Sequence, residues 1–229
     1  VPKVTTIIVA AGKSNRFQHP ETKKPFVLLG NSPVWQHSAQ QFRQHPGVCQ
    51  LILVIAAEDR DRFELTSGAI VNELRIEIVV GGLERADSVE NALNRVDSEA
   101  DFVAIHDAAR PCINQRLIDR VLQKAIQTGA AIPAVPVSST VKKSLDGRFV
   151  LQTIEREHLY LAQTPQIFRR DWIVEAYAKR CGKVVSDEAQ LLEQHGYPVA
   201  LVEGSASNLK ITLPEDLSLA AAYLKVAES

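Results

Sequence analysis

Five short runs in this chain are rich in β-branched residues and apolar on both faces: Thr5–Ala10, Leu51–Ala56, Ile76–Val80, Phe102–His106 and Ala130–Val135. A strand with one solvated face alternates apolar and polar residues. Runs without that alternation must be covered on both sides, as in a parallel sheet between two helical layers. Helical patterns fill the gaps. Ser32 followed by Pro33 reads as an N-cap and first-turn proline opening a helix to about Gln44. Val89, Ala92, Leu93 and Val96 recur at helical spacing over Ser88–Val96, where Ser88 reads as the cap. Asn114 caps a helix carrying Leu117, Ile118, Val121, Leu122, Ala125 and Ile126, and Gly129 stops it. The alternation predicts an α/β fold of three layers with a mostly parallel sheet.

Residues 136–160 break the pattern. Thr140–Ser144 and Phe149–Thr153 read as two short strands around the turn pair Asp146-Gly147. Their Val141, Leu145, Val150 and Ile154 are more apolar than a lone hairpin in water requires, and such a hairpin is marginal alone. The expectation is an arm packing on a second subunit; the alternative is a hairpin lying on its own domain. Helices near Asp171–Arg180 and Asp187–His195, a strand at Val199–Val202 and a last helix from about Pro214, with Thr212 and Glu215 at capping-box spacing, complete the reading. No linker or repeat is visible, so residues 1–229 read as one domain with an inserted arm at about 136–160.

Composition excludes several classes. The 26 Lys and Arg against 27 Asp and Glu leave a net charge of −1, with no global support for nucleic-acid or anionic-membrane binding. No apolar run approaches ~18 residues, so no transmembrane helix is expected. The N-terminus shows no basic region followed by a long apolar run, so no signal peptide is expected and a cytoplasmic location is. Cys49, Cys112 and Cys181 form no CxxC pair, so neither a disulfide framework nor a thiolate zinc site is indicated.

The near-neutral total hides a local excess. Between residues 11 and 24, Lys13, Arg16, Lys23 and Lys24 face one acid, Glu21. This net +3 loop follows the first strand, Ala10-Ala11-Gly12-Lys13-Ser14-Asn15-Arg16, where open α/β sheets bind ligands. Small residues there let backbone N–H groups approach an anion, so the loop suits a polyphosphate. It is not a Walker A loop, because Phe17 stands five residues after Gly12, and Ser14 and Phe17 occupy the glycine positions of a dinucleotide turn. Three more constellations follow strand ends or precede a helix. Gly81-Gly82-Leu83-Glu84-Arg85-Ala86-Asp87-Ser88 follows the third strand. His106-Asp107-Ala108-Ala109-Arg110-Pro111 ends the fourth, with His106 read as a packed histidine. Asn208-Leu209-Lys210-Ile211-Thr212 precedes the last helix. A carboxylate leaving a buried strand needs a partner; for Asp107 the candidates are Mg²⁺, a substrate hydroxyl or Arg110.

The pattern AAGxxxR with Lys24-Pro25-Phe26 resembles nucleotidyltransferases that make sugar or alditol nucleotides, which have a Rossmann-like sheet. AAGxxxR, Lys24, GGxxRxxSV, HDAARP, Thr164-Pro165-Gln166, Ser186-Asp187-Glu188 and NLKIT followed by Pro214-Glu215-Asp216-Leu217 occur in order over residues 4–225. The ordered set is similar to the 2-C-methyl-D-erythritol 4-phosphate cytidylyltransferase family. That resemblance implies CMP transfer from CTP to methylerythritol phosphate with release of pyrophosphate, in the non-mevalonate isoprenoid pathway, with Mg²⁺ as cofactor. By residue, it implies that Arg16 and Lys24 stabilise the transition state and that Arg156 and Lys210 position the acceptor phosphate. It implies CTP contacts at Ala10, Ala11, Gly12, Gly82, Ser88 and Ala108, and acceptor-site roles for Asp107, Arg110, Thr140, Thr164 and Ser186. Mg²⁺ would be held mainly by the CTP phosphates, with Asp107 as a further ligand. Thr140 and Arg156 would lie on an arm reaching the neighbour's site in a homodimer. Leu83 departs from relatives carrying Asp beside the base, and Ser186 stands where Thr also occurs.

The chemistry expected is in-line displacement by an acceptor phosphate already nucleophilic near neutral pH, its second pKa being about 6. No Ser–His–Asp or Cys–His machinery is then required, and none is apparent. Catalysis would rest on positioning and charge stabilisation. The competing readings are a ribitol 5-phosphate cytidylyltransferase, a non-catalytic nucleotide-binding module, and a redox or methyl-transfer enzyme on a similar sheet.

Overall fold

The computed structural model describes residues 1–12, 17 and 23–228. Arg16, with Lys13 and Glu21 of the basic loop, lies outside the described residues. In chain order the strands are β1 (Val4–Val9), β2 (Leu28–Leu29), β3 (Ser32–Pro33), β4 (Val48–Ile55), β5 (Ile76–Val80), β6 (Phe102–Asp107), β7 (Ala130–Pro136), β8 (Val141–Lys143), β9 (Gln152–Ile154), β10 (Tyr160–Ala162), β11 (Gln166–Arg169) and β12 (Ala200–Glu203). The helices are α1 (Val34–Gln44), α2 (Arg60–Glu73), α3 (Arg85–Leu93), α4 (Gln115–Thr128), α5 (Arg170–Ala178), α6 (Glu188–Gln194) and α7 (Asp216–Glu228).

The main sheet runs β10-β7-β11-β6-β1-β4-β5, with β12 also pairing with β7. Pairings of β1 with β4 and β6, β4 with β5, and β7 with β12 are parallel; β10 and β11 enter antiparallel. The expected mostly parallel sheet is present. Its two-sided burial follows from the pleat, which sends successive side chains to opposite faces. On one face Ile8, Leu51, Leu53, Ile55, Phe102 and Ala104 meet Trp35 and Phe42 of α1, Phe63 of α2 and Leu117, Val121 and Leu122 of α4. On the other, Ile7, Ile52, Val54, Val103 and Ile105 meet Val89 of α3, Ile173 of α5 and Leu191 and Leu192 of α6. From β1 the chain winds through β4 to β5 and then returns to β6 on the opposite side of β1. The strand order thus reverses between β1 and β6, where α/β sheets open a crevice.

Four local expectations are corrected. Ser32 and Pro33 form β3 against Leu28 and Leu29, so Ser32 belongs to a hairpin; α1 begins at Val34 without a side-chain cap. Ser88 lies inside α3, whose start is set by a capping box between Glu84 and Asp87, both of whose side chains accept backbone N–H groups. Thr212 and Glu215 form no capping box: Asp216 Oδ2 accepts from the N–H groups of Thr212 and Leu213, and α7 starts at Asp216. The arm strands are shorter than expected, with Val141 opposite Ile154 and Lys143 opposite Gln152. Between them Asp146 Oδ1 gathers the N–H groups of Arg148 and Phe149, making a wide loop rather than a two-residue turn.

Candidate functional site

A cleft of about 490 Å³ opens beyond the carboxyl ends of β1 and β6. Val9 and Asp107, the last residues of these strands, are direct neighbours in the sheet. Part of its lining is small. Ala10, Ala11 and Gly12 leave β1, and Gly82 and Leu83 arrive from β5. The two loops touch: a Cβ at Gly81 would lie 2.6 Å from the Ala11 Cβ and 2.7 Å from Ser88 Oγ, and one at Gly82 would lie 2.4 Å from the Asp87 Cβ. No side chain fits at either position without displacing that contact. Ser88 Oγ accepts from the Gly82 N–H at 3.1 Å and donates to the Glu84 carbonyl at 3.0 Å, tying the loop to α3.

Lys24, Glu84, Arg85, Asp107 and Lys210 give the same lining its charge. Lys24 opens a short 3₁₀ turn, Lys24–Phe26, and its ammonium lies 5.9 Å from the Phe17 ring centroid. Its neighbour Lys23 is anchored at 2.6 Å to Glu58 and 2.7 Å to Asp59, just past β4. Asp107 is buried at the end of β6 and each carboxylate oxygen meets a cation. Oδ2 accepts from Lys210 Nζ at 2.6 Å, and Oδ1 from Arg85 Nε at 3.3 Å. Burial alone would raise the Asp107 pKa; Arg85 and Lys210, with Arg110 further off, hold it well below the usual carboxylate range. Of the three candidate partners named for Asp107, Arg110 makes no ion pair with it. Arg110 turns away, donating to the carbonyls of Asn208 at 2.7 Å and Ala162 at 3.4 Å.

That turn of Arg110 places Lys210. Asn208 also donates to the Thr164 carbonyl at 2.9 Å, and the Ile211 N–H to the Ala109 carbonyl at 2.8 Å. These bonds strap the Asn208–Thr212 segment beside the end of β6. A second chain of bonds sets the backbone of Asp107. Its N–H donates to Thr164 Oγ1 at 3.1 Å, and that hydroxyl lies 3.1 Å from His106 Nδ1. His106 Nε2 lies 3.1 Å from the Arg110 carbonyl. A carbonyl only accepts, so Nε2 carries the ring proton, Nδ1 accepts, and the Thr164 hydroxyl donates to it. His106 is fully buried and packs edge-on to Phe42, a packed histidine as expected. Burial pushes its pKa down to about 4.

The cleft therefore gathers Ala10, Ala11, Gly12, Lys24, Gly82, Ser88, Asp107 and Lys210 from the sequence candidates. Ala108 and Thr164 lie buried behind it, the Ala108 N–H bonded to the Val9 carbonyl at 3.1 Å. Ser186 is exposed just before α6. Thr140 and Arg156 are exposed on the arm, where Arg156 donates to the Ser138 carbonyl; neither lines the cleft within one chain. Sequence reasoning left two charged residues inside motifs without a role. Arg85 holds Glu188 with both terminal nitrogens, at 2.6 and 3.0 Å, and Glu188 is fully buried. The only signal was their presence in GGxxRxxSV and Ser186-Asp187-Glu188.

Among the described residues no group of three or more His, Cys, Asp or Glu side chains could hold a metal ion. The cleft's carboxylates are Asp107, engaged by two cations, and Glu84, engaged in the cap of α3. The donor set thus suits a cation that arrives with phosphate oxygens and takes at most Asp107 from the protein.

Comparison with known proteins agrees with this architecture. A family profile described as 2-C-methyl-D-erythritol 4-phosphate cytidylyltransferase matches residues 4–226. The chain is 43% identical to a protein of that name from Rhodopirellula baltica, over 99% of this chain and 96% of that one. It is 40% identical to another from Syntrophus aciditrophicus, over 99% and 98%. Among solved structures, 2-C-methyl-D-erythritol 4-phosphate cytidylyltransferase from Thermus thermophilus superposes with a TM-score of 0.79 at 32% identity, covering 96% of this chain and 98% of that one. The match spans nearly the whole chain, and this protein belongs to the 2-C-methyl-D-erythritol 4-phosphate cytidylyltransferase family.

Proposed function

We propose that the chain transfers CMP from CTP to 2-C-methyl-D-erythritol 4-phosphate, giving CDP-methylerythritol and pyrophosphate for isoprenoid synthesis. The observation that carries this is the cleft in a member of this family, where Ala10, Ala11, Gly12 and Gly82 share one lining with Lys24, Lys210 and a paired Asp107. The Ala10–Gly12 and Gly82 backbone lets a flat base and ribose lie close. Lys24 faces the triphosphate, and the family pattern gives Arg16 the same role. An oxygen of the acceptor phosphate attacks the α-phosphorus in line, the bond to the bridging oxygen breaks, and pyrophosphate leaves with that oxygen. Charge builds on the phosphoryl oxygens, where fixed cations stabilise it most. Asp107 would be the one protein carboxylate available to a Mg²⁺ held mainly by the CTP phosphates, and that ion would supply charge neutralisation.

The acceptor sits toward Asp107, Arg110, Thr164 and Ser186, its phosphate held by Lys210 and by Arg156 and Thr140 of a second chain. Support for that dimer comes from the arm and its base, where Leu145, Phe149, Val150, Leu151 and Leu161 are all more than half exposed. A cytoplasmic enzyme is the matching location. None of the described helices is long and apolar enough to cross a membrane. The test is pyrophosphate release from CTP with methylerythritol 4-phosphate and, in parallel, ribitol 5-phosphate. Release with the first alone supports the assignment. Release with ribitol phosphate alone overturns the acceptor, and CTP binding without release in either case overturns the enzyme.

A further inference from the structure

We infer that Arg85 is a positioning residue for Asp107: aimed by the buried Glu188, it delivers its Nε to Oδ1 and fixes the plane of the Asp107 carboxylate. The inference rests on the cytidylyl-transfer reading above and adds a device to it. Three segments meet at this guanidinium. Arg85 opens α3, three residues after Gly82 of the cleft lining. Asp107 closes β6. Glu188 opens α6, two residues after Ser186. The guanidinium thus ties the nucleotide-side loop and the acceptor-side loop to the carboxylate between them.

The geometry explains why an arginine is needed. Glu188 takes both terminal nitrogens, at 2.6 and 3.0 Å, which locks the guanidinium plane and leaves Nε pointing at Asp107, 3.3 Å away. Tyr177 donates to Glu188 Oε1 at 3.1 Å, so the anchor is itself held. A lysine, with one nitrogen, could not grip Glu188 with a fork and meet Asp107 as well. For packing α3 on α6, an apolar pair would serve as well as a buried ion pair. The charged pair is accounted for by what its third nitrogen does. With Oδ1 held, Lys210 on Oδ2 completes the constraint. Without Arg85, the carboxylate turns with Lys210 and its lone pairs leave the acceptor.

The experiment is a double-mutant cycle in the intact protein, read as kcat and KM for CTP and methylerythritol phosphate. Arg85→Gln should lower kcat by about 10²-fold, the scale of a small misplacement at a reacting centre, with the CTP KM changed less than about threefold. Asp107→Asn should lower kcat on its own. The double variant should be no slower than Asp107→Asn, because Arg85 has then lost the group it acts through. Arg85→Lys should not restore turnover. A thermal melt checks each variant, and if Arg85→Gln does not fold the cycle is run with Arg85→Lys. Additive losses in the cycle, full rescue by lysine, or near-wild-type turnover in Arg85→Gln would each overturn the assignment while leaving the cytidylyl-transfer reading intact. A wild type inactive with CTP and either alditol phosphate overturns both.

Discussion

The bond chain behind Asp107 makes stability depend on one histidine. His106 is fully buried, and burial pushes its pKa to about 4, against about 6.5 in an unfolded chain. The native pairing also favours the neutral ring. Nε2 already donates to the Arg110 carbonyl, and Nδ1 must accept from Thr164, whose oxygen is receiving the Asp107 N–H. A proton on Nδ1 would make the Thr164 hydroxyl turn its own hydrogen away and accept from both N–H groups. The sign follows from linkage. Below pH 6.5 the unfolded chain takes up a proton that the folded chain refuses until about pH 4. The stabilisation is complete above pH 6.5 and is lost as the pH falls to 4. With ~1.36 kcal/mol per pKa unit, the loss is roughly 1.4 kcal/mol at pH 5.5 and roughly 2.5 kcal/mol at pH 4.5. Urea denaturation followed by far-UV circular dichroism at pH 7.0, 5.5 and 4.5 measures it. His106→Gln, which does not titrate, should be less stable at pH 7 but lack this slope, so the two curves converge as the pH falls. Asp107 and Asp87, both held below the ordinary carboxylate range, titrate under this window in either protein. Parallel slopes in the two proteins would refute the argument, as would an imidazole carbon signal titrating near pH 6.5 in the folded state.

Other changes have directions set by the same geometry. Lys24→Ala should lower kcat by about 10²–10³, the scale of one lost preorganised donor, in the pyrophosphate assay; near-wild-type turnover removes it from the transition state. Gly82→Ala places a Cβ 2.4 Å from the Asp87 Cβ, so the loop must back away. The CTP KM should rise about tenfold, consistent with ~1.4 kcal/mol of lost binding, with kcat changed less; an unchanged KM would show that the loop does not approach the nucleotide. On the arm, Phe149 is 77% exposed. Phe149→Asp should shift sedimentation from dimer to monomer and raise the acceptor KM more than the CTP KM, and an unshifted boundary argues against the arm as the interface.

The sheet was legible because its strands are covered on both sides and so are apolar throughout. β11 was not, although it lies between β6 and β7. It is four residues long and begins with a buried glutamine. Gln166 accepts from the Ala189 N–H at 3.1 Å and donates to Asp187 at 2.8 Å, so its interior position is satisfied by polar bonds that no strand pattern signals. Caps show the same limit. Ser88 has the right chemistry for one, but Glu84 and Asp87 close a reciprocal pair three residues apart, and Ser88 is turned to the Gly82 loop instead. In the site, small residues and cations after strand ends were visible because their positions follow from topology. The Arg85–Glu188 pair was not, because its members are 103 residues apart and no spacing rule joins them.

That pair also changes how the charge of the cleft is counted. By residue type the lining has Lys24, Arg85 and Lys210 against Glu84 and Asp107. Arg85 is neutralised by Glu188 before any ligand arrives, and Lys210 is parked on Asp107. Lys210 therefore becomes available to a phosphate only by sharing its contact with Asp107. On the proposed reading, an acceptor phosphate that drew Lys210 from Asp107 would leave the carboxylate held by Arg85 alone. The guanidinium contact at Oδ1 is then what keeps Asp107 in place when its other cation turns to the acceptor.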